Sequence, residues 1–128
     1  MAHVLVVDDE PEIVKMVAKI LESRGHRVTV ARDGQEALDE VARERPDVMV
    51  LDLNLPKVDG FEVCRRLRSA EPTRALPIVM LTAAYPSLQD ATRGLGIGAD
   101  EYVVKPFLRE VLVHNVERLL PKQEPSAP

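Results

Sequence analysis

Five short apolar runs alternate along the chain with longer segments in which apolar residues recur every three or four positions. The runs lie at residues 3–7, 27–31, 47–51, 78–81 and 101–104. Most of them are continuously apolar, which is typical of strands buried on both faces of a parallel sheet. The segments between and after them predict helices at residues 10–24, 34–44, 61–70, 87–95 and 108–120.

Residues with clear capping preferences mark the ends of two predicted helices. Gly25 follows the first helix, and glycine is the residue that most often ends a helix. Asp33 precedes the second helix and Glu36 lies three residues later, which is the pattern of a capping box. Pro46 follows the second helix closely and prevents it from continuing. These positions support the predicted alternation of strands and helices.

A strand followed by a helix, repeated five times, predicts an α/β fold. Right-handed crossovers between parallel strands place helices on both faces of the sheet. We therefore expect a doubly wound, five-stranded parallel sheet, a (βα)5 arrangement that forms a three-layer sandwich. Because ligands of such sheets bind at the carboxyl ends of the strands, the residues after each strand are the first functional candidates.

The composition fits one globular domain in 128 residues, which we assign to residues 1–120. The formal charge of −4 offers no basic surface for direct binding to nucleic acid or membranes. The sequence has no signal peptide and no apolar run of about 18 residues. The lone Cys64 cannot form an internal disulfide, which favours a reducing compartment, the cytoplasm. Residues 121–128 contain three prolines and are expected to be a tail or the start of a linker.

The polar and charged residues after four of the five predicted strands are candidates for one site. The first strand is followed by Asp8 and Asp9, the third by Asp52, the fourth by Thr82, and the fifth by Lys105 and Pro106. Parallel strands end at the same edge of a sheet. We therefore expect three carboxylates, a hydroxyl and an ammonium group to converge at that edge.

The predicted carboxylate cluster indicates a metal site, because three such groups repel one another unless a cation joins them. Oxygen ligands without Cys or His suit Mg²⁺, with Mn²⁺ as the alternative, rather than zinc. A metal held in this way recruits phosphate oxygens, and Lys105 adds a second positive charge for the same group. Thr82 can donate a hydrogen bond to that group, and a carboxylate can act as nucleophile. The set predicts a pocket for phosphoryl transfer.

Four motifs, in order and at matching spacing, resemble the receiver domain of bacterial two-component response regulators. They are VLVVDDE, VLDLNLPKVDGFE, IVMLTA and GADEYVVKPF. The resemblance covers essentially the whole chain and implies the flavodoxin-like strand order 2-1-3-4-5. It also implies that a histidine kinase or a phosphotransfer protein supplies a phosphoryl group. Such a domain catalyses its own phosphorylation and dephosphorylation and is not an enzyme acting on an external substrate.

The resemblance assigns roles to the residues at the strand ends. Asp52 matches the aspartate that accepts the phosphoryl group, and Lys105 matches the lysine that contacts this group. Asp9 matches the main metal carboxylate, and Asp8 matches the second acidic position. Asn54 matches the residue whose backbone carbonyl coordinates the metal.

Two further features of the family concern its conformational switch. Thr82 matches the hydroxyl residue that moves to the phosphoryl group, and Tyr102 matches the aromatic residue that turns inward. The Lys105–Pro106 bond matches a peptide bond that is cis in the family, and a cis X-Pro bond normally fixes a tight turn. A tyrosine on an edge strand can equally be part of ordinary sheet packing, so both interpretations of Tyr102 stay open.

The implied output is a changed affinity for a partner at the face formed by the fourth helix, fifth strand and fifth helix. The partner is a downstream effector protein or a fused output domain, and the same face can form a homodimer. Receivers joined to winged-helix domains often use a Glu and an Arg on the last helix as dimer contacts, where this chain has Val111 and Asn115. The basic stretch Arg65, Arg66 and Arg68 is interpreted as a solvated helix face, with a partner contact as the alternative.

Three other functions are weighed against this hypothesis. An aspartyl phosphatase of the haloacid-dehalogenase type needs a second acid two residues after its nucleophile, where this chain has Asn54. A degenerate receiver that is never phosphorylated typically lacks an acidic residue, the threonine or the lysine. A flavin-binding protein needs a phosphate loop after the first strand, where Asp8 and Asp9 would repel a phosphate.

Overall fold

The computed structural model describes residues 2–53, 55–82 and 99–120. Its strands are β1 (His3–Val7), β2 (Arg27–Ala31), β3 (Val48–Asp52), β4 (Ile78–Thr82) and β5 (Glu101–Val104). Its helices are α1 (Pro11–Ser23), α2 (Gly34–Arg43), α3 (Gly60–Ser69), a short 3₁₀ helix (Glu71–Thr73) and the C-terminal helix (Arg109–Leu119). Every predicted element in these ranges is confirmed to within one residue at each end. The predicted helix at 87–95, Asn54 and the predicted tail at 121–128 lie outside the described residues.

The strands form a parallel sheet in the order β2-β1-β3-β4-β5, which confirms the predicted fold class. All residues of β1, β3 and β4 are buried, as expected for continuously apolar strands covered on both faces. The outer strands β2 and β5 are partly exposed. The order reverses between β1 and β3, and this is the position at which open α/β sheets bind ligands.

Two apolar cores, one on each face of the sheet, produce the three-layer sandwich. Alternate strand residues such as Leu5 and Met49 pack with α2 and α3 on one face. The residues between them, such as Val4 and Val50, pack with α1 and the C-terminal helix on the other face. Successive side chains of a strand point to opposite faces, so these short strands supply both cores at once.

Helix ends follow local sequence signals. The Asp33 carboxylate accepts a hydrogen bond from the backbone N–H of Glu36 at 2.8 Å, as the capping-box pattern predicts. An Asp59 carboxylate oxygen caps α3 in the same way, accepting from the backbone N–H of Glu62 at 2.9 Å. Gly25 follows α1 with φ of 88°, a left-handed conformation that favours glycine. The chain is thus turned back sharply before β2.

The sequence analysis placed Asp52 and Thr82 after their strands, and this was wrong by one residue. Asp52 is the last residue of β3 and Thr82 the last residue of β4. Each is retained in the sheet because a neighbouring strand offers a partner: Asp52 pairs with Leu81, and Thr82 pairs with Val104. Both side chains therefore stand on ordered strand backbone rather than on loops.

Within the described residues, no helix is long and apolar enough to cross a lipid bilayer.

Candidate functional site

Three carboxylates meet at the carboxyl edge of the sheet. Asp8 and Asp9 directly follow β1, and Asp52 ends the adjacent strand β3. One carboxylate oxygen from each of the three residues lies within 4.8 Å of the others. Asp8 and Asp52 are 0% and 3% exposed, whereas Asp9 is exposed to solvent. The predicted acidic cluster is therefore assembled, with one carboxylate that solvent can reach freely.

Lys105 supplies positive charge to this cluster from the loop after β5. Its Nζ lies 2.9 Å from Asp8 Oδ2 and 3.6 Å from Asp52 Oδ2, and its side chain is only 10% exposed. Burial lowers the pKa of Lys105, but the hydrogen bond to Asp8 and the charges of Asp52, Asp8 and Glu10 raise it above its ordinary value. Lys105 therefore stays charged at neutral pH.

The backbone places Lys105 and Thr82 beside each other. The Lys105 N–H donates to the Thr82 carbonyl at 2.6 Å, which continues the pairing of β4 with β5 by one residue. The next peptide bond, between Lys105 and Pro106, is cis. Phe107 then packs partly against the core shared by α1 and the C-terminal helix. The lysine is thus held between a strand end and an apolar anchor.

Gly60 brings the start of α3 against the backbone of the site. Its N–H donates to the Leu53 carbonyl at 3.0 Å. A Cβ at this position would lie 2.5 Å from the Asp52 carbonyl oxygen and 2.9 Å from Leu53 Cα. No side chain fits in that space, so glycine allows α3 to begin directly beside the residue that carries the buried carboxylate.

The donor set fits a hard divalent cation. Asp8 is engaged on both oxygens, because Oδ1 accepts from the Glu10 N–H at 3.0 Å and Oδ2 accepts from Lys105 Nζ at 2.9 Å. Asp9 remains the accessible carboxylate beside Asp52. Carboxylate oxygens without sulfur or imidazole are the ligands that Mg²⁺ and Mn²⁺ prefer.

Glu10 is a site residue that the sequence analysis missed. Its carboxylate lies 3.7 Å from Lys105 Nζ, although the side chain is 61% exposed. It adds a fourth acidic group at the rim of the cluster. The available signal was its position directly after Asp8 and Asp9, but position alone could not distinguish it from an ordinary acidic residue at the start of a helix.

Tyr102 occupies the edge strand β5, two residues before the strand ends. It pairs with Met80 of β4 and packs, half-buried, against the core on the α2 and α3 face. Thr82 lies two residues farther along β4, opposite Val104. The two residues assigned to the switch therefore stand on adjacent strands near the same edge of the sheet.

The interpretation of Arg68 as part of a solvated face was wrong. Its guanidinium donates to the Leu76 carbonyl at 2.6 Å and to Asp100 Oδ2 at 3.0 Å, and its side chain is 17% exposed. The same Asp100 oxygen accepts from the Ile78 N–H at 2.7 Å. Arg68 therefore links α3 to the segments that lead into β4 and β5. The neighbouring two arginines of α3 do stay exposed, where both pair with Glu62.

The C-terminal helix is tied to the elements on either side of it. Glu117 accepts hydrogen bonds from Arg24 at 2.8 and 3.0 Å and lies 2.9 Å from His26 Nε2. The hydrogen bonds from Arg24 and then His26 outweigh burial and lower the pKa of Glu117 to about 2. On the β5 side, Arg118 forms an ion pair with Glu101. Polar contacts thus hold this helix against both the turn before β2 and the edge strand.

Cys64 lies in the core between α3 and the sheet, and burial raises the pKa of its thiol. A thiol in this state is a poor nucleophile at neutral pH. Cys64 therefore contributes to core packing and is not part of the acidic site.

Comparison with known proteins identifies a single family. The family model described as "Response regulator receiver domain" matches residues 4–117. Response regulator MprA of Mycobacterium leprae (strain TN) is 43% identical over 124 residues, which are 97% of this chain and 53% of that protein. MprA of Mycobacterium avium (strain 104) matches to the same extent. The chain thus spans about half the length of the curated relatives it matches.

Solved structures share the fold along most of the chain. The chemotaxis response regulator CheY4 of Vibrio cholerae is 38% identical, with a TM-score of 0.88, and the match covers 94% of this chain and 99% of that one. The signal receiver domain of a signal transduction histidine kinase from Syntrophus aciditrophicus is 32% identical, also with a TM-score of 0.88. That match covers 100% of this chain and 98% of the other.

Proposed function

Because this chain belongs to the response regulator receiver domain family, which accepts phosphoryl groups in two-component signalling, we propose that Asp52 is its phosphoacceptor. The observation that carries this proposal is the position of its carboxylate. It is buried at the end of β3, 3.6 Å from the Lys105 ammonium and within 4.8 Å of oxygens from Asp8 and Asp9. A nucleophilic carboxylate beside cationic and metal-binding groups is what phosphoryl transfer requires.

The transfer is a substitution at phosphorus. An Asp52 carboxylate oxygen forms the new O–P bond while the bond from phosphorus to the donor breaks, and its electron pair leaves with the donor. With a histidine kinase or a phosphotransfer protein, the broken bond joins phosphorus to an imidazole nitrogen. Lys105 offsets negative charge on the phosphoryl oxygens and transfers no proton.

The residues present fit Mg²⁺, with Mn²⁺ as the alternative. Asp9, Asp52 and the backbone carbonyl of Asn54 would hold the ion, with Asp8 as the second acidic position. When bound, the ion offsets charge on the transferring phosphoryl group. Asp8 also orients Lys105, through the 2.9 Å hydrogen bond that fixes the ammonium beside Asp52.

Phosphorylation changes the charge next to the end of β4, where Thr82 lies. In the proposed switch, the Thr82 hydroxyl donates to a phosphoryl oxygen, and Tyr102 on the adjacent strand turns inward. This shifts an equilibrium between two conformations and changes partner affinity at the face formed by the predicted helix at residues 87–95, β5 and the C-terminal helix. The position of Tyr102, half-buried on an edge strand, is compatible with such a movement.

The proposed partners are a histidine kinase or phosphotransfer protein as donor, and an effector protein or fused output domain as receiver of the signal. We assign the receiver domain to residues 1–120 and a linker or tail to residues 121–128, in the cytoplasm. A homodimer would use the same switching face. It would lack the Glu and Arg dimer contacts that receivers joined to winged-helix domains often have on the last helix, because Val111 and Asn115 occupy the matching positions. No turnover of an external substrate, nucleic-acid contact or membrane contact is part of this proposal.

The test is phosphorylation by acetyl phosphate and Mg²⁺, followed by intact mass spectrometry. The wild-type protein should gain one phosphoryl group, and an EDTA control should gain none. Asp52→Asn should abolish the adduct, whereas Asp39→Asn, which changes an exposed aspartate on α2, should not. An adduct that persists in Asp52→Asn would show that another residue is the acceptor. Absence of an adduct in the wild-type protein together with absence of Mg²⁺ binding would favour the degenerate receiver instead.

A further inference from the structure

A cleft adjoins the acidic cluster on the side of α1 and β2. It has a volume of about 240 Å³ and is lined by residues that include Asp8, Asp9, Val14, Lys15 and Arg32. Val14 and Val30 contribute apolar lining, whereas Asp8 and Asp9 belong also to the proposed metal site. The cleft therefore has room for a small molecule and borders two of the three carboxylates of the acidic cluster to which Asp52 belongs.

Two of the residues that line the cleft, Lys15 and Arg32, are cations. Within residues 2–53, 55–82 and 99–120, neither Lys15 nor Arg32 forms an ion pair, and both are exposed. Other exposed arginines of the same part of the chain, such as Arg24 and Arg27, are paired with glutamates at the surface. Lys15 and Arg32 thus keep their charge available for an anion that enters the cleft.

The acidic cluster creates a problem for an anionic phosphodonor. Asp8, Asp9 and Asp52 bring three negative charges together, and Glu10 adds another at the rim. A small phosphodonor carries negative charge on its own phosphoryl oxygens, so it is repelled on approach by whatever charge of the cluster Lys105 and a bound divalent cation leave uncompensated. Positive charge beside the entrance offsets this repulsion and raises the local concentration of the donor.

We propose that Lys15 and Arg32 recognise small anionic phosphodonors of the acyl phosphate class and guide them from this cleft to Asp52. This inference rests on the proposed function of Asp52. In the reaction, an Asp52 oxygen bonds to phosphorus, the bond between phosphorus and the acyl oxygen breaks, and its electron pair leaves with the carboxylate product. Lys15 and Arg32 act on the approach of the donor and take no part in the bond changes.

The experiment measures the second-order rate constant of phosphorylation, by intact mass, for Lys15→Gln, Arg32→Gln and the double variant. Acetyl phosphate is compared with phosphoramidate, which carries less negative charge at neutral pH. At low ionic strength each single variant should lose roughly two- to tenfold with acetyl phosphate and less with phosphoramidate. High salt should reduce the difference, because it screens exposed charges.

Lys19→Gln is the matched control, since Lys19 is an exposed lysine of the same helix that does not line the cleft. It should react at the wild-type rate. Equal rates for the wild-type protein and the double variant with acetyl phosphate would overturn the role of the cleft and leave Asp52 as acceptor. An equal loss with Lys19→Gln would also overturn it, because the effect would then be one of net charge. A wild-type protein that accepts from neither donor would overturn the inference together with its premise.

Discussion

Replacing Lys105 by Met removes the cation that faces two buried carboxylates. With an effective dielectric constant of about 20, charges at 2.9 and 3.6 Å attract by about 6 and about 5 kcal/mol before any cost of desolvation. Desolvation of the lysine cancels much of this attraction. Removal of one partner from a buried pair nevertheless costs about 3–5 kcal/mol, because the other charge is left uncompensated. We expect Lys105→Met to lower the free energy of unfolding by about 3 kcal/mol at pH 7 without metal.

The measurement is urea unfolding followed by circular dichroism in EDTA, with Lys19→Met as control for loss of an exposed lysine. The control should change the free energy of unfolding by less than about 0.5 kcal/mol. The folded pKa of Lys105 lies above its ordinary 10.5, so its stabilisation is present below pH 10.5 and is lost as pH rises through the folded value. Added Mg²⁺ should stabilise Lys105→Met more than the wild-type protein, since a divalent cation replaces the missing charge. A loss below about 1 kcal/mol for Lys105→Met would refute the reasoning, because the ammonium would then behave as a solvated surface charge.

Three further substitutions test other parts of the structure. Glu117→Gln should lower the free energy of unfolding by about 1 kcal/mol at pH 7, a small effect because solvent screens the contact with exposed Arg24. The pKa of Glu117 is about 2 in the folded protein and 4.5 when unfolded, so urea unfolding should show the difference between variant and wild type shrinking as pH falls below 4.5. Gly60→Ala should lower the free energy of unfolding by about 1–3 kcal/mol in urea, because the new Cβ collides with the Asp52 backbone. The same collision should slow phosphorylation of Asp52 by acetyl phosphate, and a wild-type rate would contradict this. Arg68→Met should lower the free energy of unfolding by about 2 kcal/mol in urea, because two hydrogen bonds of the guanidinium are lost. Arg68→Lys should restore only part of this loss, since an ammonium cannot reproduce the planar, forked geometry of the guanidinium donors. Full rescue by lysine would count against a role for this geometry.

The fold could be predicted almost completely from the sequence, for a local reason. Continuous apolar runs specify strands buried on both faces, and helical periodicity between them specifies the crossovers. Caps such as Asp33 and Gly25 then mark where helices begin and end. The parallel order of the strands brings their carboxyl ends to one edge, so the residue types at the ends of β1 and β3 were enough to predict the acidic cluster.

The partners of each side chain were decided only by the tertiary structure. Asp8 and Lys105 are separated by 97 positions, and nothing local in either segment indicates that Asp8 rather than Asp52 would take the shortest contact with the ammonium. Arg68 looked like a solvated arginine because its acceptors, the Leu76 carbonyl and Asp100, belong to segments that only the packed fold brings beneath it.

The cleft beside the site was beyond sequence analysis for the same physical reason. Lys15 lies on α1 and Arg32 directly follows β2, and both line one cleft only because α1 and the end of β2 pack side by side. Periodicity and residue type fix which face of an element is buried, since burial depends on local pattern. Distances between charges on different elements depend on the relative positions of those elements, and these are set by packing across the whole sheet.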